Sequence, residues 1–161
     1  MGDVALESTI QGNNDPSTKP DLVKIRPGLT LTFKATQAPA HTETIEWTEK
    51  KENPGLMSSA NQSLTIKKDG NYFLCLQVTL DTEYSHRGTQ HTVSLNKNGQ
   101  TFLEGRINTN LSISTGFMGR LEQLVSDDIL KVTIHPSAKI NDTLLVTYLD
   151  VIYLPNRSTT I

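Results

Sequence analysis

The chain shows its clearest pattern between residues 72 and 80, where Tyr72, Leu74, Leu76, Val78 and Leu80 alternate with Phe73, Cys75, Gln77 and Thr79. Side chains of a strand point to opposite faces at every step, so this segment predicts a β-strand with its first set turned to a core. Its second set is apolar for only part of its length. That predicts a further cover on the other face, beyond the strand's own core, such as a second subunit. Leu29-Thr30-Leu31-Thr32-Phe33 and Leu64-Thr65-Ile66 alternate in the same way, and a short piece at Ile45-Glu46-Trp47 lies between them. Thr92 to Asn96 and Thr101 to Leu103 flank Asn98-Gly99, the pair best suited to a tight hairpin turn with positive φ. Phe117 to Val125, Ile129 to Ile134 and Leu144 to Leu154 predict three more strands, parted by Ser126-Asp127-Asp128 and by a loop holding Pro136 and Asn141. No helical period of useful length occurs. About eight to ten short strands in one domain imply an antiparallel β-sandwich or jelly roll.

The 161 residues fit one domain large enough to fold without a metal or disulfide staple. Residues 1-22 are polar and interrupted by Gly12-Asn13-Asn14-Asp15-Pro16 and Lys19-Pro20, which predicts an arm or stalk; residues 23-155 form the domain and 156-161 a tail. A net charge of -2 gives no basic footprint for nucleic acid or a membrane surface. No apolar run approaches the length that spans a bilayer, and Met1-Gly2-Asp3 opens no signal peptide, so the expectation is a soluble chain or an excised ectodomain.

Cys75 is the one cysteine, which excludes an intrachain disulfide, and its place between Leu74 and Leu76 predicts a packed, inert thiol. Trp47 beside Ile45 is read as a core residue. His41, His86, His91 and His135 fall in predicted loops or strand ends without ligand spacing, and no nucleophile, zinc-protease or phosphate-loop motif occurs. The expectation is a protein that is not an enzyme and holds no metal or cofactor. Asn-x-Ser/Thr sequons at Asn61, Asn110, Asn141 and Asn156 point to a secreted or cell-surface glycoprotein.

Three blocks, in order, resemble the tumour necrosis factor ligand superfamily. The first is Ile45-Glu46-Trp47 followed by Leu64 to Val78 with its Gly70-Asn71-Tyr72. The second is Phe117 to Leu124 with the turn Ser126-Asp127-Asp128, and the third is the closing Val146 to Leu154. Each block is weak alone; their order and spacing over the last two thirds of the chain make them specific. The resemblance implies a homotrimeric jelly roll: the ectodomain of a type II membrane protein, or its shed form, which clusters cysteine-rich receptors in immune signalling. It places Phe73, Cys75, Phe117 and Tyr148 around the threefold axis. It gives the receptor the Asn96-Lys97-Asn98-Gly99 turn and the loops Thr36 to Thr42, Asp81 to Gly88 and Ser137 to Asp142, with Tyr84, Arg87 and Lys97 as the first candidates for contact.

The sequence departs from that pattern in lacking the first-strand alanine-histidine pair, in carrying Asp127 where glycine is usual, and in carrying Asp150 for the glycine of the last strand. Val93 to Gln100 is also similar to the heads of complement-type collagens, an alternative trimeric recognition module, though no collagen repeat is present. Strict alternation puts Arg120 and Glu122 on the buried face with Met118 and Leu124, which calls for either a bulge near Gly119 or a buried ion pair.

Overall fold

The structure is a computed structural model and describes residues 29–50, 55–81, 88–109 and 114–155. Eleven strands lie among these residues: β1 (Leu29–Ala35), β2 (Thr42–Thr44), β3 (Trp47–Glu49), β4 (Met57–Ala60), β5 (Ser63–Ile66), β6 (Gly70–Leu80), β7 (Gln90–Lys97), β8 (Gln100–Asn108), β9 (Ser114–Leu124), β10 (Ile129–Ala138) and β11 (Tyr148–Leu154). They form a five-stranded sheet in the order β3-β1-β11-β6-β9 and a second sheet in the order β4-β5-β10-β7-β8, with β2 added on β10. Every pairing is antiparallel, and consecutive strands repeatedly change sheets, which is the jelly-roll arrangement. The arm at 1-22 and the tail at 156-161 lie outside the described residues.

Alternation fixes the core. Leu31, Phe33 and Ala35 of β1, Tyr72 to Leu80 in steps of two on β6, and Leu149, Val151 and Tyr153 of β11 face inward against Val93 and Leu95 of β7 and Leu130, Val132 and Ile134 of β10. Trp47 is buried in this core. At one end Tyr72 and Tyr153 pack with ring centroids 5.2 Å apart, tilted by 58°. Their hydroxyls donate to the carbonyls of Lys68 and Asp69, so both rings bury their bodies and satisfy their polar tips.

Three expected elements differ. The Ile45-Glu46-Trp47 piece is not one strand but a crossing between sheets: Thr42–Thr44 joins β10 and Trp47–Glu49 joins β1, while Ile45 N donates to Val132 O at 2.9 Å. Both apolar residues are buried on either side of the crossing, so their pattern resembled a strand. The last strand starts at Tyr148, because residues 143–147 close a turn in which Val146 N and Thr147 N both donate to Thr143 O. β10 runs on to Ala138 through Pro136, which lies just beyond the last rung with β7, where the missing N–H breaks no pairing to it.

Candidate functional site

The outer face of the five-stranded sheet is built by register. Three cross-strand rows cover it: Thr30, Ile152, Phe73 and Leu121; then Thr32, Asp150, Cys75 and Gly119; then Lys34, Tyr148, Gln77 and Phe117. All four residues expected at a threefold axis, Phe73, Cys75, Phe117 and Tyr148, share this face. Leu121 and Ile152 complete it, and neither was singled out from the sequence. Phe117 is 63% exposed, Leu121 54% and Phe73 37%, an apolar patch facing water on a sandwich whose other face is closed. Tyr148 Oη donates to Gln77 Oε1 at 3.3 Å within the third row.

The middle row is polar. Thr32 Oγ1 donates to Asp150 Oδ1 at 2.8 Å, and Cys75 stands directly across the strand pair from Asp150. Burial, and secondarily the Asp150 charge, push the Cys75 thiol up from its ordinary value. Cys75 is therefore a neutral, half-buried thiol, unsuited to nucleophilic work.

Arg120 and Glu122 do point inward, as strict alternation demands, and no bulge interrupts the β6–β9 register. The expected conflict is resolved by position: β9 is the edge strand, so its inner face opens toward β7 and β8. There Lys97 Nζ meets Glu122 Oε1 at 3.0 Å, Arg120 Nε meets Glu122 Oε2 at 3.5 Å, and Arg120 Nη1 donates to the Phe102 carbonyl. The cluster ties the two sheets at their margin.

The topology sends the expected binding loops to opposite ends. The loop 36–42 and the loop 137–142 meet at one end: Lys139 Nζ donates to Ala38 O at 2.7 Å and Ala38 N to Asp142 Oδ2 at 3.3 Å. Between them, Gln37, Pro39, His41, Glu43 and Ser137 help to line an open polar cleft of about 370 Å³. Asp81 joins this end, with its N–H on Lys139 O at 2.8 Å; Tyr84 and Arg87 lie outside the described residues.

The Asn98-Gly99 turn sits at the other end, with φ of 52° and 82°, as its residues require. Its side chains are committed to the fold. Asn98 Nδ2 donates to Asp128 Oδ1 at 2.8 Å and Ile129 N donates to Asn98 Oδ1 at 2.9 Å. Asn96 Nδ2 bonds Thr133 Oγ1 at 3.1 Å, and Lys97 is held by Glu122.

A further apolar candidate escaped the sequence reading: Leu145, 84% exposed, tips the turn 143–147. That turn is fastened from below, since Gln77 Nε2 and Thr79 Oγ1 both donate to Val146 O, at 3.1 and 2.7 Å. A leucine inside what looked like a strand gives no sign of exposure.

Asn61 and Asn141 are exposed, Asn61 in the β4–β5 turn and Asn141 after β10; Asn110 and Asn156 lie outside the described residues. Among the described residues no three His, Cys, Asp or Glu side chains come together as a metal site. His91 stands at the start of β7, as expected, and is buried with Nδ1–H donating to Pro136 O at 2.7 Å, whereas His135 lies within β10 and not at its end; His86 lies outside the described residues. No helix among these residues is long and apolar enough to cross a membrane.

This strand order and its two-sheet layering define a tumour-necrosis-factor-like jelly roll. The chain is similar to the crystal structure of murine APRIL at pH 8.0, with a TM-score of 0.63 and 18% identity over 78% of this chain and 98% of that one. It is similar to GITRL from bushbaby, with a TM-score of 0.57 and 19% identity over 84% and 100% of the two chains. Rabbit GITRL gives 0.56 and 19% over 81% and 99%. APRIL and GITRL are both tumour necrosis factor superfamily ligands. No family model matches the chain, and neither does any curated protein.

Proposed function

We propose that this chain is a tumour-necrosis-factor-like cytokine ligand: it assembles as a homotrimer through the outer face of the five-stranded sheet and clusters cysteine-rich receptors outside the cell. The observation that carries this reading is the apolar patch of Phe73, Phe117 and Leu121 left facing water, with Cys75 beside Phe73 on β6 and with Ile152 and Tyr148 flanking the patch on β11. A three-fold assembly covers such a patch while leaving the loops at both ends free. The similarity to APRIL and GITRL supports the same reading.

Three linked receptor sites turn modest affinity into avidity, so the signal needs no bond-making step, no cofactor and no catalytic residue. The domain acts as the ectodomain of a type II membrane protein or as its shed form, in immune signalling, with Asn61 and Asn141 placed to carry glycans. At one end the cleft beside loop 36–42 and the Leu145 turn offer contact surface, and at the other the Asn96 to Gly99 hairpin tip offers a turn whose side chains are held in place.

Sedimentation velocity on the purified chain, followed by capture on a panel of cysteine-rich receptor ectodomains, tests the proposal. A trimer that one or more of those receptors retains is the expected result. A monomer at micromolar concentration removes the assembly step, and a trimer that no such ectodomain retains removes the receptor step.

A further inference from the structure

The polar row on the outer face has consequences for any assembly made there. Asp150 lies between Ile152 and Tyr148 along its own strand and between Thr32 and Cys75 across the sheet. One strand step sideways is about 4.8 Å and two residues along a strand about 6.8 Å, so apolar or aromatic residues of the rows on both sides crowd it closely. A cover that reaches from Phe73 across Ile152 and Tyr148 therefore covers Asp150 as well. In the single chain its carboxylate receives one donor, the Thr32 hydroxyl. An ionised carboxylate has room for about four, and water supplies the remainder until the face is closed.

The charged and titratable groups facing Asp150 are few. β1 carries Lys34, in the next row and exposed, and Lys50 follows beyond Thr32 at the sheet margin. β6 offers only the neutral Cys75 thiol, and β11 itself only the Tyr148 phenol. On β9 the outward residues Thr115, Phe117, Gly119, Leu121 and Gln123 carry no charge, while Arg120 and Glu122 point inward and are tied to Phe102 and Lys97. A threefold axis through this face multiplies the problem: three carboxylates lose water in one neighbourhood and repel one another.

We propose that assembly over this face is coupled to proton uptake by Asp150, so that the homotrimer tightens as the solution is acidified; this rests on the trimer reading above. Protonation removes both penalties at once. It converts three repelling anions into hydroxyl donors that can bond Thr32 or one another. The glycine that the resemblance expects at this position would leave assembly indifferent to pH, and Asp150 makes it responsive.

The test is sedimentation velocity of the wild-type chain, Asp150→Asn and Asp150→Gly, at about pH 5 and about pH 8, with thermal unfolding of each as a check on the fold. The wild-type concentration for half-assembly should fall by about tenfold or more at the lower pH, while both variants assemble equally at the two values. A wild-type trimer with the same half-assembly concentration at both overturns the coupling and leaves the trimer reading standing. Assembly that weakens in acid, and weakens again in Lys34→Ala, overturns it by showing that the ionised form is paired between subunits. If the wild type and a folded Asp150→Asn are monomers at both values, the trimer reading itself fails.

Discussion

The ring of Tyr153 occupies the space where a side chain on Gly70 would begin: with a Cβ at Gly70, Cζ and Oη of Tyr153 would lie only 3.1 Å away and Cε2 closer still. The glycine of Gly70-Asn71-Tyr72 therefore serves packing, because it lets β11 lay Tyr153 beside Tyr72 over the start of β6. Gly70→Ala should destabilise the fold by about 2–3 kcal/mol, the usual cost of overpacking a rigid aromatic site. Urea denaturation checks it, and a change below about 0.5 kcal/mol would show that the ring moves aside freely.

Tyr72 in the same corner makes stability depend on alkali. Its hydroxyl is pushed up to about 12, first by burial and then by the nearby Tyr153 and Asp69. An acid whose folded value is raised stabilises the fold fully below its ordinary value of 10.0 and loses that contribution as pH climbs through about 12. Denaturant midpoints should thus hold steady up to pH 10 and drop between there and 12. Tyr72→Phe should lose about 1 kcal/mol at neutral pH with its bond to Lys68 O, and should flatten the alkaline fall. An unchanged alkaline slope in the variant would assign the effect elsewhere.

Asn98 and Asp127 both adopt positive φ, 52° and 72°, yet they predict opposite outcomes. Asn98 joins the β7–β8 hairpin to the β9–β10 turn through two side-chain hydrogen bonds, so Asn98→Ala should cost about 2–3 kcal/mol in bonds and backbone strain. Asp127→Gly relieves strain without removing any such staple. It should be neutral or stabilising by up to about 1 kcal/mol. Thermal unfolding of both variants checks the contrast; equal losses would mean that the turn residues act through their side chains alone.

Both faces of β6 were legible from alternation, because a strand in a sandwich has only two directions for a side chain to take. The Asn98-Gly99 hairpin was legible because few residues tolerate positive φ. What could not be read depended on partners rather than on local pattern. Ile45 and Trp47 look alike whether they pair with one sheet or cross between two, and Leu144, Leu145 and Val146 match a strand although Thr143 O closes them into a turn. Alternation placed Arg120 and Glu122 correctly, but only the sheet order shows that β9 is an edge where charges can meet Lys97. The same limit applies to the candidate site. Alternation reaches Phe73 and Cys75 and the resemblance adds Phe117 and Tyr148, whereas adding Leu121 and Ile152, or assigning loops to ends, requires the register across strands.

Tyr148 and Leu145 stand three residues apart on either side of the turn into β11 and separate the two steps of the proposed function. Tyr148 lies within the outer face, hydrogen-bonded to Gln77, so Tyr148→Asp should bring three charges into a dry contact and raise the half-assembly concentration by several kcal/mol's worth, about a hundredfold or more. Because its side chain points away from the core, the variant should keep a cooperative thermal transition. Leu145 is exposed at the tip of a turn held by Gln77 and Thr79, so Leu145→Asp should leave assembly untouched. Its effect should appear as weaker capture by receptor ectodomains, by about tenfold, since an apolar side chain on a rigidly held turn loses little freedom on binding and a carboxylate in its place must be desolvated. Ultracentrifugation and receptor capture on both variants separate the cases: a Tyr148→Asp chain that stays fully trimeric contradicts the axial face, and a Leu145→Asp chain that binds as wild type removes this turn from the contact.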